Sequence, residues 1–217
     1  MFDMTTLLPF FIALLALQLS PGPDMLLIIG RGIGQGPRVA LMAAMGATVL
    51  AGVFQLALLA LGVASIVRTS PIAFDLLRWV GAAYLIWLGI KLLVERGGSA
   101  EPTVMGSAIS NWMALREGMM SNLTNPKALA FMLAFLPQFV DVDSGWPVTV
   151  QLLALGLMQK LSGFVVLAVV AIGAGRLGHW LARRQHWIVW QKRFCGAVMI
   201  GLGLRLALGG EARPARI

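Results

Sequence analysis

The sequence predicts an all-α integral membrane protein, with six transmembrane helices arranged as two inverted three-helix repeats and helices 1 and 4 broken by proline. Three observations carry this expectation. The 217-residue chain is 59% hydrophobic and only 12% charged, with a mean hydropathy of +0.84, about half the charge expected of a soluble domain. No charged residue occurs from Val39 to Val67, a run longer than the ~20 residues needed to cross a bilayer core. Two apolar runs share one kind of interruption, proline beside a charged residue: SPGPD at 20–24 and TNPKA at 124–128.

Six apolar runs qualify as spans, at residues 7–30, 39–67, 72–94, 118–140, 148–174 and 194–208. None alternates as a barrel strand would, and helices satisfy their own backbone groups in lipid. A linker at 95–116, containing GGSAEP, divides one transmembrane domain covering 1–217 into a repeat of about 1–94 and a second of about 117–210.

In span 1, proline lacks an N–H and clashes with the preceding turn, so Pro21 and Pro23 stop one helix while Gly22 supplies backbone freedom. Pro23 also suits the first position of a new helix, which places Asp24 in its first turn. Span 2 carries small residues at every fourth position, Ala40, Ala44, Thr48 and Gly52, a pattern that permits close helix packing. Span 4 repeats the grammar of span 1, with Asn125 as N-cap, Pro126 as first helical residue and Lys127 in the first turn. Span 5 carries Gln159 and Lys160 at its middle. Arg205, near the end of span 6, is placed to snorkel. Trp79, Trp87, Trp146, Trp187 and Trp190 read as interfacial anchors.

The formal charge of +8 is a matter of topology rather than of nucleic-acid binding. With the N-terminus outside, ten basic residues fall on the inner side: Arg31, Arg38, Lys91, Arg96, Arg116, Arg176, Arg183, Arg184, Lys192 and Arg193. Four fall outside, namely Arg68, Arg78, Arg213 and Arg216, and the loop with Asp141 and Asp143 has none. Basic residues accumulate on the cytoplasmic side, so both termini are expected in the periplasm. The N-terminal run has no basic leader and carries Asp3, unlike a cleaved signal peptide.

Three spans per half is an odd number, so a duplication inverts the second copy. RWVGAAYLIWLGIKLL from Arg78 and RFCGAVMIGLGLRLAL from Arg193 share Arg, an aromatic residue and Gly-Ala at a spacing of 115 residues. Paired broken spans in equivalent positions of two halves are where inverted-repeat transporters place their substrate.

Enzymatic chemistry is poorly supplied. The single Cys195 forms no Cys-rich metal motif, and His179 and His186, seven apart in a basic stretch, do not have a usual zinc spacing and read as interfacial residues. No cofactor is expected.

Taken together, SPGPD followed by GRGIGQGPR, then GAAYLIWLGIKLL, then EGMMSNLTNPKALAFMLAFLPQFV, resemble the LysE/RhtB amino-acid exporter superfamily over nearly the whole chain. The resemblance implies a multi-pass exporter of amino acids or related small metabolites in a bacterial inner membrane, driven by the proton gradient. Its partners would be the solute, protons and the bilayer, with no nucleic acid; a homo-oligomer is compatible with it. Many relatives place a polar or ionisable residue in span 2, where this chain offers only Thr48 and Gln55. Two alternatives stay open: a passive metabolite or ion channel, and an exporter of another solute on the same scaffold.

The charges at the breaks point to the solute. Burying Asp or Lys at a helix centre costs on the order of 2.5–3.5 kcal/mol, and Asp24 and Lys127 stand where the helices are interrupted. A zwitterion needs one partner of each sign: Asp24 for the ammonium, and Lys127 with the half-helix N-terminus at Pro126 for the carboxylate. Also open is that Asp24 and Lys127 pair directly with each other, or that each neutralises or caps locally, and the two arrangements can alternate through a transport cycle. The candidate substrate-binding residues are therefore Pro21, Gly22, Pro23, Asp24, Asn122, Thr124, Asn125, Pro126, Lys127 and Lys160. Asn122 and Thr124 either line the cavity or satisfy backbone at the break; Lys160 is either a gate or counter-charge to Asp24, or snorkels.

Overall fold

The computed structural model describes residues 4–94, 108–141, 144–183 and 185–208. Arg96, Asp143, Arg184, Arg213 and Arg216, with Asp3 and most of the 95–116 linker, lie outside the described residues, as do the side chains of Arg68, Arg176, His179, Arg183, His186 and Trp187. All regular structure among the described residues is helical.

Helix α1 (Met4–Leu19) ends at SPG, and α2 (Pro23–Gln35) restarts at Pro23 with a bend of 48° between them. Gly36 turns the chain with φ of 88°, a left-handed conformation that favours glycine. The second run is then one continuous rod: α3 (Pro37–Met45), a π turn at Gly46–Leu50, α4 (Ala51–Leu58), a second π turn at Leu59–Val63, and α5 (Ala64–Thr69). Helix α6 (Pro71–Val94) completes the first half. Helix α7 (Asn111–Leu123) is capped by Ser110, whose hydroxyl accepts from Met113 N at 3.2 Å. Helix α8 (Pro126–Ala130) runs into a π turn at Phe131–Phe135 and a 3-10 turn at Leu136–Phe139. Helices α9 (Val148–Arg183) and α10 (Gln185–Leu208) follow.

Among the described residues, three uninterrupted helical stretches are long and apolar enough to cross a membrane, Pro37–Ile66, Asp75–Val94 and Val148–Ala174, and the bent pair Leu7–Leu19 with Pro23–Gln35 qualifies as a fourth. The runs at 118–140 and 194–208 are also helical, but the first is divided at the break and the second belongs to a helix carrying Lys192, Arg193 and Arg205. Helix α7 starts at Asn111, within the 95–116 stretch, and the stretch between the expected spans 148–174 and 194–208 is helical up to Arg183 and again from Gln185. The latter stretch has no proline and many good helix formers; hydropathy marks the bilayer's edge, not the helix's end.

The relative directions of the helices follow from their contacts. Gln18 meets Gln159 and Ser162 at one end, and Gly32 meets Ala171 and Ala174 at the other, so α2 runs parallel to α9. Asp24 meets Ser121 and Asn122, Arg31 meets Glu117, and Gln35 meets Ile109, so α2 runs antiparallel to α7. Helices α6 and α10 are antiparallel, with Ala82 beside Gly203 and Gly89 beside Gly196. Val53, Phe54, Leu58 and Leu61 on the rod, and Val165, Val169 and Ile172 on α9, are exposed. Such an apolar exterior belongs in hydrocarbon, since lipid and not water is its natural solvent.

With no hydrophobic drive between helices in lipid, close packing of small residues does much of the work. A Cβ on Gly89 would lie 2.6 Å from Gly196 O, and one on Gly196 would lie 2.8 Å from Gly89 O. The crossing of the rod over α7 is tighter. A Cβ on Gly46 would overlap the Leu115 carbonyl oxygen, and one on Gly118 would overlap that of Ala43. Because the obstacle is backbone on both sides, Gly118→Ala is expected to destabilise the protein by about 3 kcal/mol, the upper end of the cost of overpacking. Thermal unfolding of the purified protein measures this; an unchanged Tm would mean that the two helices are free to separate.

Candidate functional site

The two breaks and the middle of α9 surround a cavity of about 80 Å³, several times the ~10–15 Å³ that one water needs. Its polar lining comes from Gln18, Ser20, Asp24, Asn122, Asn125 and Lys127, with Thr48, Gln159 and Lys160. Its apolar lining comes from Leu17, Met25, Ala47, Val166 and Leu167.

Each break leaves backbone groups without helical partners, and each is bridged to the other half of the chain. Break one ends α1 with free carbonyls. The Lys127 ammonium donates to Leu17 O and Ser20 O, both at 2.8 Å, and Gln191 Nε2 donates to Leu19 O. A cation at a helix C-terminus also meets the negative end of the dipole. Gly22 makes the approach feasible, since a Cβ there would stand 3.3 Å from Lys127 Nζ. Break two is completed from the first half. Asp24 Oδ1 accepts from Ser121 Oγ at 2.6 Å, and Oδ2 accepts from Asn122 Nδ2 at 2.7 Å and Asn125 Nδ2 at 3.1 Å. Asn125 meanwhile caps α8, its Oδ1 accepting from Lys127 N at 3.0 Å. The first-turn charge of each restarted half-helix thus holds the opposite break.

Asp24 and Lys127 therefore do not pair with each other. Their partners are Ser121, Asn122 and Asn125 for the one, backbone carbonyls for the other. Lys160 does not snorkel; it is buried, donating to Gln55 Oε1 and, at 3.3 Å, to Asn122 Oδ1. Asn122 joins the charges, giving to Asp24 through nitrogen and receiving from Lys160 through oxygen. Gly52, of the small-residue row in span 2, lies over the Lys160 stem, where a Cβ would be 3.3 Å from Cγ. Of the ten candidates, Gly22, Asp24, Asn122, Asn125, Lys127 and Lys160 line the cavity, while Pro21, Pro23, Thr124 and Pro126 do not. The prolines shape the breaks, and exposed Thr124 returns its hydroxyl to Met120 O at 2.7 Å.

Sequence reasoning missed Gln18 and Ser121. Gln18 binds α9 through Gln159 O at 3.1 Å and Ser162 Oγ at 2.8 Å. Near the cavity, Gln18 Oε1, Ser20 Oγ, Gln159 Oε1 and Gln55 Nε2 are buried without a partner among the described residues. Each such atom costs ~1–3 kcal/mol, and together they mark a site built for something polar. At one end of α2, Arg31 grips Glu117 through a fork, Nε to Oε2 at 2.9 Å and Nη2 to Oε1 at 2.6 Å.

A helical membrane protein whose broken helices meet around a polar, charged cavity is built like a solute translocator. The comparisons agree: the LysE type translocator family matches residues 15–210, and the chain belongs to that family. It is 30% identical to a leucine efflux protein of Klebsiella pneumoniae, covering 95% of this chain and 96% of the relative. It is 31% identical to a leucine efflux protein of Enterobacter sp. strain 638 over 91% of this chain and 90% of the relative. An uncharacterised membrane protein of Vibrio cholerae is 30% identical over 94% and 98%. No solved structure matches.

Proposed function

We propose that the protein is a secondary active, proton-coupled exporter of amino acids in the bacterial inner membrane, and that neutral aliphatic amino acids such as leucine are its substrates. The observation that carries this reading is the cavity itself, where one carboxylate and two ammonium groups stand at the breaks and at mid-helix beside an apolar wall of Met25, Ala47, Val166 and Leu167. A zwitterion with an aliphatic side chain has matching parts. Asp24 is the pole for its ammonium, with Asn122 and Asn125 free to exchange partners; the positive charge of the cavity is the pole for its carboxylate. The relatives named leucine efflux protein support the aliphatic class.

Six spans in two inverted repeats, with both termini periplasmic, are part of this proposal. The crossed completion of the breaks supports it, because Asp24 serving α7 and Lys127 serving α1 is what a twofold exchange of the halves produces. Helix directions agree as well: α2 is parallel to α9 and antiparallel to α7, and α6 is antiparallel to α10, as six alternating spans require.

Counterflow tests the function. Proteoliposomes loaded with unlabelled leucine are expected to accumulate labelled leucine transiently above its external concentration, and an imposed proton gradient is expected to raise the transport rate. A channel would only dissipate the gradient. Absence of any overshoot across a panel of amino acids would sink the exporter reading.

A further inference from the structure

Three ionisable side chains line the cavity: Asp24, Lys127 and Lys160. With all three ionised, their charges sum to one positive. The two lysines are not equivalent. Lys127 donates to carbonyls at the end of α1, where the helix dipole carries about half a negative charge. Lys160 has no helix end, and the Asp24 carboxylate reaches it only through Asn122. It is held by two neutral side-chain oxygens, Gln55 Oε1 and Asn122 Oδ1, and its third hydrogen has no partner among the described residues. Gln55 is itself buried, and its Nε2 has no acceptor among the described residues. The site around Lys160 therefore has spare donors, and Asp24, across Asn122, is one carboxylate shared by two ammonium groups, so the cavity is an anion short of neutrality. Desolvating an ammonium is costly unless a counter-charge arrives.

We propose that Lys160, positioned by Gln55 and Asn122, is the residue that receives the carboxylate of the transported solute, and that Lys127 is a fixed cap on α1. The inference rests on the amino-acid reading above and makes it more specific: the carboxylate is an obligatory part of the solute, and the residue recognising it is on α9. Binding would place carboxylate and ammonium on the two sides of Asn122, so that one amide senses both ends of a zwitterion.

Equilibrium binding to the purified full-length protein in liposomes tests this with three labelled probes. Leucine carries both charges, leucinamide lacks the carboxylate, and 4-methylpentanoate lacks the ammonium. Wild type is expected to bind leucine at least tenfold more tightly than leucinamide. Lys160→Met should abolish that preference, and Lys127→Met should keep it. Gln55→Glu guards against a Lys160 variant that fails to fold, because it leaves the lysine in place and gives it an internal carboxylate. It is expected to weaken leucine binding at least tenfold, to leave leucinamide binding no weaker, and not to lower the Tm.

A leucine preference that survives in Lys160→Met, or leucine binding unchanged in Gln55→Glu, overturns the assignment. Wild-type binding of leucinamide as tight as that of leucine overturns it too. Binding of 4-methylpentanoate but not of leucine would end the amino-acid reading while supporting Lys160 as the carboxylate partner. Binding of none of the three would end both.

Discussion

Asp24→Asn is expected to lower leucine counterflow at least a hundredfold while the protein still inserts in the membrane. The carboxylate accepts three hydrogen bonds, from Ser121, Asn122 and Asn125. An amide of the same shape turns one acceptor into a donor: facing Ser121 it needs the hydroxyl to accept instead of donate, and facing Asn122 and Asn125 it sets N–H against N–H. Bonds to a charged acceptor contribute ~1.5–3 kcal/mol each, and the negative pole proposed for the ammonium disappears with them. Initial counterflow rates at equal amounts of membrane-inserted protein measure the effect. A variant within threefold of wild type would show that the charge at position 24 is dispensable and that the ammonium binds elsewhere.

Lys127→Met is expected to act on stability first. It keeps the apolar stem and removes the donor to Leu17 O and Ser20 O, leaving two carbonyls with an unmet cost of ~1–3 kcal/mol apiece. A loss of about 3 kcal/mol follows, readable as a lower Tm in detergent. The double variant Asp24→Asn with Lys127→Met is the more informative measurement. Were the residues an ion pair, removing both charges would restore much of what either single change lost. Because each holds a different break, the double variant should be at least as unstable as Lys127→Met and should remain inactive. Recovered export there would mean that the two charges meet each other during the cycle.

What could be read from the sequence was what depends on neighbours in the chain. The restarts at Pro23 and Pro126 and the Asn125 cap are local events within a few residues, and proline and asparagine announce them. The partners of Lys127 were beyond reach for a plain reason: they are backbone carbonyls 110 and 107 residues away, and every residue has one. Ser121 and Gln18 were overlooked because a single small or amide side chain in an apolar helix is commonplace. Gly46 and Gly118 did leave a trace, since glycine inside a helix costs ~1 kcal/mol relative to alanine and two such costs ask for a close neighbour. The proline breaks and paired charges pointed to the cavity. The different partners of Lys127 and Lys160 needed coordinates.

The crossed completion of the breaks also sets an order of events during biogenesis. Helix α1 ends in the bilayer with carbonyls whose donor, Lys127, is encoded 110 residues after Leu17. At the usual ~5–20 residues per second of synthesis, that donor leaves the ribosome on the order of 5–20 s later. Through that interval α1 to α6 wait with an unfinished seam and an Asp24 that has no donors from α7. The nascent first half is thus an intermediate whose exposed polar groups need water, lipid headgroups or the insertion machinery until the second half arrives.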